Sequence, residues 1–175
     1  EAVALRDASN VWRAYFTTGE TTLDLTHVEG APANLANDTF YYVYAWSDSS
    51  APSAAKFQIS TSPPTESGTP TVLRMWKRGQ AANYRYLGWF TTDSSGAPLP
   101  FIKRGRTYRF LFGAIASTSV HRVITAGNAT SFTAVTVSCI PAHARLIRLH
   151  FELTPGAAGR AVYFRAGGTS TFHKY

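Results

Sequence analysis

Hydrophobic and polar positions alternate with a period of two along much of the chain, the pattern of strands with one face inward and one outward. In "IRLHFEL", Ile147, Leu149, Phe151 and Leu153 fall on one side and Arg148, His150 and Glu152 on the other. "TYRFLF" gathers Tyr108, Phe110 and Phe112 on one face, and "AKFQIS" sets Ala55, Phe57 and Ile59 against Lys56, Gln58 and Ser60. "TAVTVSCI" and "AVYFRA" continue the pattern. Between these runs lie clusters such as "SDSSAPS", "TTDSSGAP", "KRGR" and "TPGAAG", whose Gly, Pro, Ser and Asp favour turns. Strands therefore recur about every ten to fifteen residues, the spacing of an all-β sandwich or barrel.

"FYYVYAW", residues 40 to 46, departs from simple alternation. Phe40, Tyr42, Tyr44 and Trp46 share one face and Tyr41, Val43 and Ala45 the other, so both faces are largely apolar and no charge interrupts them. A central strand covered on both sides fits better than a solvent-facing platform, with subunit contact as a further use of the rings. "YAWSDSS" and "GWFTTDSSG" read as two similar hairpin tips, in which Asp48 and Asp93 accept local backbone bonds. "STSPPTESGTP" reads as a long surface loop. No stretch combines a helical period with an N-cap signal. The pattern predicts an all-β chain forming a single domain over residues 1–175, a sandwich or a barrel.

Composition supports a folded chain: among 175 residues, 45% are hydrophobic and 15% charged. The one cysteine, Cys139, cannot form an internal disulfide and reads as a small buried side chain. No apolar run is long enough for a membrane-spanning helix, so no membrane insertion is expected. "EAVALRDASN" lacks a signal-peptide pattern, and the start without Met suggests a fragment or a processed form. Charge changes the picture more. Residues 1–66 carry three Lys/Arg against eight Asp/Glu, and residues 67–175 carry fourteen against two. The basic later part favours anionic partners.

Three segments carry a resemblance: "TTLDLTHVEGAPANLANDTFYYVYAWSDSS", "KFQISTSPPTESG" and "YRYLGWFTTDSSGAPLPFIKRGRTYRF". Together with "TSFTAVTVSCIPAHARLIRLHFEL" they resemble a β-sandwich domain of tail-fibre, head-fibre and other virion-surface proteins of tailed bacteriophages and prophages. In that pattern an "LDLT" strand leads through a turn to a "YYVY" strand, followed by an "STS.P" loop and a "TDSSG" hairpin. The likeness spans roughly residues 20–165. It departs from the pattern at "VEGAPANLAND" and at the longer, more basic "TVLRMWKRGQAANYRY". What it implies is an all-β, single jelly-roll-like antiparallel β-sandwich of roughly eight to ten strands, serving as a trimeric fibre or spike module on the virion surface, assembled in the bacterial cytoplasm. Such a module meets a host-surface glycan or other virion proteins.

Candidate chemistry is sparse. Phosphate-loop, nucleophile-elbow, HExxH, paired CxxC and dinucleotide motifs are all missing. The few carboxylates read as turn and capping residues rather than a glycosidase pair, leaving a depolymerase a remote alternative. The five histidines show no ligand spacing, so neither metal nor cofactor is expected. The stronger constellation is Arg74, Trp76, Lys77 and Arg78 with Tyr84, to which Trp46 at the end of its strand is added. Guanidinium forks bind carboxylate, and an exposed ring stacks on a sugar face. A second basic turn, Lys103, Arg104 and Arg106 with Arg109 beyond, reads as a hairpin tip. Despite the basic pI, no docking motif for nucleic acid accompanies the charge. The expectation is a non-enzymatic, homotrimeric attachment module for an anionic host polysaccharide. The alternative is a capsid-decorating or fibre-anchoring protein that binds other virion proteins.

Overall fold

The computed structural model describes residues 2–6, 11–16, 20–47, 55–66, 76–78, 83–105 and 107–110, with 131, 134, 140–141, 143–144, 163–164 and 173–174. The chain falls into two compact units, Glu1–His121 and Arg122–Tyr175. Eleven strands and one 3-10 turn make up the regular structure of the described residues, and every strand pairing is antiparallel. The protein is all-β. The described pairings join a three-stranded sheet and four two-stranded ribbons.

The centre of the first unit is the sheet β4-β3-β7, with β3 spanning Phe40–Ser47, β4 Ala55–Ser60 and β7 Tyr84–Thr91. As the two-sided apolar pattern requires, β3 lies in the middle, and Tyr41, Tyr42, Tyr44 and Ala45 are all buried. One face, the aliphatic one, is lined mainly by Leu, Val, Ile and Ala, with Tyr15, Phe57 and the stacked Tyr41–Phe90 pair among them. Here β1 (Ala2–Arg6) and β2 (Trp12–Phe16) form a hairpin that packs Leu5 and Tyr15 against Ala45, Ala55, Phe57 and Leu87. Arg85 ties the hairpin down by donating from Nη1 to the Ala4 carbonyl at 3.2 Å. Farther along the same face, Val28, Leu23 and Leu35 cover Tyr41, Val43, Ile59 and Phe90.

The opposite face is aromatic. Phe40, Tyr42, Tyr44 and Trp46 from β3 meet Tyr84, Tyr86 and Trp89 from β7, with ring centroids 5.6–6.5 Å apart for Phe40–Trp89, Tyr42–Tyr86, Tyr44–Tyr86 and Trp46–Tyr84. Strict alternation along "YRYLGWF" would put Trp89 on the other face from Tyr84 and Tyr86. A bulge corrects the phase: Val43 pairs with Gly88 but Tyr44 pairs with Tyr86, so Leu87 is the extra residue and Trp89 joins the ring face opposite Tyr42.

A second ribbon, β8 (Phe101–Arg104) and β9 (Thr107–Phe110), lies against this aromatic face. Tyr108 is the contact, 5.0 Å from Trp89 and 5.6 Å from Phe101 by ring centroids. Its hydroxyl accepts the Trp89 backbone N–H at 3.0 Å and bonds the Tyr86 hydroxyl. A side chain at residue 88 would run into that hydroxyl, so the glycine at Gly88 is what lets Tyr108 close over the strand. Hairpin, sheet and ribbon thus form successive β layers.

Two local expectations fail. The "LDLT" stretch is not a strand: Leu25–His27 is a 3-10 turn whose N-cap is Asp24. Leu23 and Leu25 alternate with polar residues as a strand would, but Asp24 accepts the Thr26 N–H at 2.9 Å, and that local bond wins. "STSPP…" is also not wholly a loop, because Pro64–Glu66 (β5) pairs with Trp76–Arg78 (β6). Proline at the start of a ribbon strand removes no bond that the pairing needs. The "KRG" tip is a hairpin turn as expected, with Gly105 in the left-handed region at φ 57°.

In the second unit, β10 (Tyr163–Phe164) pairs with β11 (His173–Lys174), and the Ala144 N–H closes a turn onto the Pro141 carbonyl. Of the strand expected in "TAVTVSCI" only Ala134 and Ile140 are described, and the strand expected in "IRLHFEL", with Cys139, lies outside the described residues.

Candidate functional site

Sheet register brings two of the expected ligand residues together. Trp46 sits between Lys56 of β4 and Tyr84 of β7 in one cross-strand row. Tyr84 stacks on the indole at 5.7 Å with the planes 20° apart, and the Lys56 ammonium lies 5.3 Å from the indole centroid. Each contact fixes the ring: stacking by about 0.5–1.5 kcal/mol and an exposed cation–π contact by about 0.5–1 kcal/mol. Trp46 is half-buried, held rigid at the end of the aromatic face rather than standing free in solvent.

Beside the outer edge of β4 runs an open groove of about 430 Å³. Its sheet wall is Trp46, Phe57 and Gln58, and its other wall is the 26–31 segment, with His27 and Glu29 as the titratable groups. That wall is built by local bonds. Asp24 caps the 3-10 turn and receives Thr26 through both the backbone N–H and the hydroxyl. His27 Nδ1 lies 2.9 Å from Asp24 Oδ1, which leaves Nε2 as the ring nitrogen open to a ligand. The Thr26 hydroxyl, followed by His27, holds the Asp24 carboxyl at about 2, below its ordinary value. The segment is then pinned to the sheet: the Glu29 N–H donates to the Ile59 carbonyl at 2.8 Å, and Ser60 Oγ donates to Glu29 Oε2 at 2.7 Å. Gly30 and Ala31, which also line the groove, both take positive φ. A rigid indole, a second ring, an amide, an imidazole and a carboxylate around a shallow trough can stack on a sugar ring and bond its hydroxyls.

The other expected residues are placed as follows. Trp76, Lys77 and Arg78 form β6, with Trp76 opposite Glu66, Lys77 opposite Thr65 and Arg78 opposite Pro64. The backbone of β6 runs close to β7. Arg74 and Arg106 lie outside the described residues, as does Asp48. Lys103, Arg104 and Arg109 are all exposed, the Lys103 ammonium lying 5.9 Å from the Tyr108 ring centroid. Asp93 behaves as its turn predicts, accepting the N–H groups of Ser95 and Ala97 and the Ser95 hydroxyl. Those bonds, the Ser95 hydroxyl foremost, lower its pKa. Burial lowers the pKa of His143, in the second unit. Among the described residues, no group of three His, Cys, Asp or Glu side chains comes together as a metal site would need, and no helix is long and apolar enough to cross a membrane.

Sequence reasoning missed His27, Lys56, Phe57 and Gln58. Their proximity to Trp46 depends on the β3–β4 register and on a capped turn, and neither carries a local sequence motif. No protein-family model, no curated protein and no solved structure matches the chain.

Proposed function

We propose that this chain is a non-enzymatic surface module of a tailed-bacteriophage particle, a fibre or spike domain of jelly-roll order that attaches the particle to a host-surface polysaccharide. The observation that carries the proposal is the groove, where Trp46, clamped by Tyr84 and Lys56, shares a trough with His27, Glu29 and Gln58. A preset ring loses little conformational freedom when a sugar stacks on it. The sequence likeness to virion-surface domains supplies the setting. Weak binding at one shallow site would be multiplied by trimerisation, since linked sites raise avidity without new contacts.

The test is adhesion of the fluorescently labelled chain to encapsulated and capsule-stripped bacteria, with Trp46→Ala as the variant. The expected outcome is capsule-dependent binding that falls at least tenfold in the variant while its unfolding midpoint shows it still folded. Binding to phage particles lacking this protein, without binding to cells, would replace attachment by capsid decoration. Release of reducing sugar from capsule would replace it by a depolymerase.

A further inference from the structure

The β8–β9 ribbon has two dissimilar faces. Its inner face is anchored through Phe101 and Tyr108 to the aromatic side of the sheet. On its outer face Arg104 pairs across with Thr107 and Ile102 with Arg109, and all four side chains are exposed, Ile102 by 42%. The two arginines are therefore diagonal neighbours, about 7–8 Å apart with their Cβ atoms somewhat closer, by the geometry of an antiparallel pair. Neither guanidinium has an ion pair or hydrogen bond among the described residues. The chain itself offers little to neutralise them locally, because no Asp or Glu occurs between Asp93 and Glu152. Asp93 is already committed to Ser95 and Ala97. Two unpaired guanidinium forks on a rigid ribbon, with an aliphatic side chain between them, call for negative charge from outside.

We infer that the outer face of the β8–β9 ribbon, through Arg104 and Arg109 flanking Ile102, is the surface that selects an acidic, carboxylate-bearing polysaccharide. This rests on the attachment reading above and assigns the charge of the glycan to a place separate from the Trp46 groove. Bidentate N–H donation from each fork matches a carboxylate, and Ile102 meets the C–H face of a sugar ring. The outer face carries no aromatic side chain on which a base would stack, which favours the polysaccharide over single-stranded nucleic acid.

The experiment is calorimetric titration of the 175-residue chain with polygalacturonate. Dextran serves as the uncharged comparison and a single-stranded oligonucleotide as the phosphate-bearing one, each at low and raised salt. Polygalacturonate is expected to bind, weakening with salt, and to bind roughly tenfold more weakly to Arg104→Gln or Arg109→Gln. Arg13→Gln, the same charge change on another hairpin, should stay within about twofold, because screened distant charges contribute little. Arg104→Lys should recover only part of the loss, since a point charge lacks the fork. These exposed variants should keep the wild-type unfolding midpoint. Unchanged binding in the Arg104→Gln/Arg109→Gln double variant, no binding of polygalacturonate, dextran binding equal to it, or tighter binding of the oligonucleotide would each overturn the inference. If any of these occurs while the wild type still adheres to encapsulated cells through Trp46, the ribbon assignment falls alone. If adhesion is lost as well, the attachment reading falls with it.

Discussion

The two faces of β3 are both buried, yet they are stabilised differently. On the aromatic face, three buried hydroxyls are part of the structure. Tyr44 donates to the Ser62 carbonyl at 2.8 Å, and Tyr86 and Tyr108 bond each other, with Trp89 N–H donating to Tyr108. Burial, the leading cause, raises the pKa of all three phenols, so they stay neutral donors and acceptors at any ordinary pH. On the aliphatic face, Tyr15 is fully buried and its hydroxyl has no hydrogen-bond partner among the described residues. The aromatic face holds its rings by hydroxyl bonds at its centre, whereas on the aliphatic face Tyr41 accepts the Ala36 N–H at 2.8 Å but Tyr15 is held by packing. A misplaced ring on the first forfeits both packing and a satisfied polar group, whereas at Tyr15 only packing is at stake.

The largest break in that contrast is Tyr44→Ala, which empties the middle of the aromatic row. A loss of about 3–5 kcal/mol is expected, read as a lower midpoint in denaturant unfolding. Tyr44→Phe separates the parts by keeping the ring and removing only the bond to Ser62, for about 0.5–1.5 kcal/mol. Next comes Gly88→Ala, which drives a methyl group into the Tyr108 hydroxyl and displaces its bond from Trp89. About 1–3 kcal/mol should be lost, with a changed near-ultraviolet signal from Trp89. Tyr15→Phe should do the opposite of Tyr44→Phe and be neutral or raise the midpoint slightly, by up to roughly 1 kcal/mol, because it removes an unsatisfied group. A clear destabilisation by Tyr15→Phe would erase the distinction between the faces.

The smallest effect is acid dependence at the groove wall. Asp24 is held at about 2 in the fold, below its ordinary value near 3.8. Its depressed value means that its contribution is present above about pH 4 and disappears as pH falls toward about 2. A carboxyl titration followed by NMR should place the Asp24 midpoint near 2 and show the Thr26 amide moving with it.

Legibility in the sequence followed the range of the interactions. β3 as a covered central strand could be read from "FYYVYAW" because both of its faces announce burial. The Asp93 turn could be read because Asp, Ser and Gly act within four residues. The bulge at Leu87 could not, since it exists to bring Trp89 into phase with partners on another strand. The first hairpin was passed over although "DASN" stands between two short apolar runs, because five-residue strands carry too few alternations to stand out. The site divides in the same way: Trp46, Tyr84, Arg104 and Arg109 were visible as residue types, whereas the groove opposite Trp46 required the register and the Asp24 cap.

The bonds that hold the 26–31 segment also restrict how copies of this chain can assemble. At the outer margin of β4, the Ile59 carbonyl already accepts the Glu29 N–H, and Val28 bridges Ile59 in parallel. A neighbouring protomer cannot lengthen the sheet at that point by adding a strand unless it first strips Glu29 away. Any association at that point would have to use side-chain surfaces rather than an added strand, leaving the core sheet at Ile59 intact.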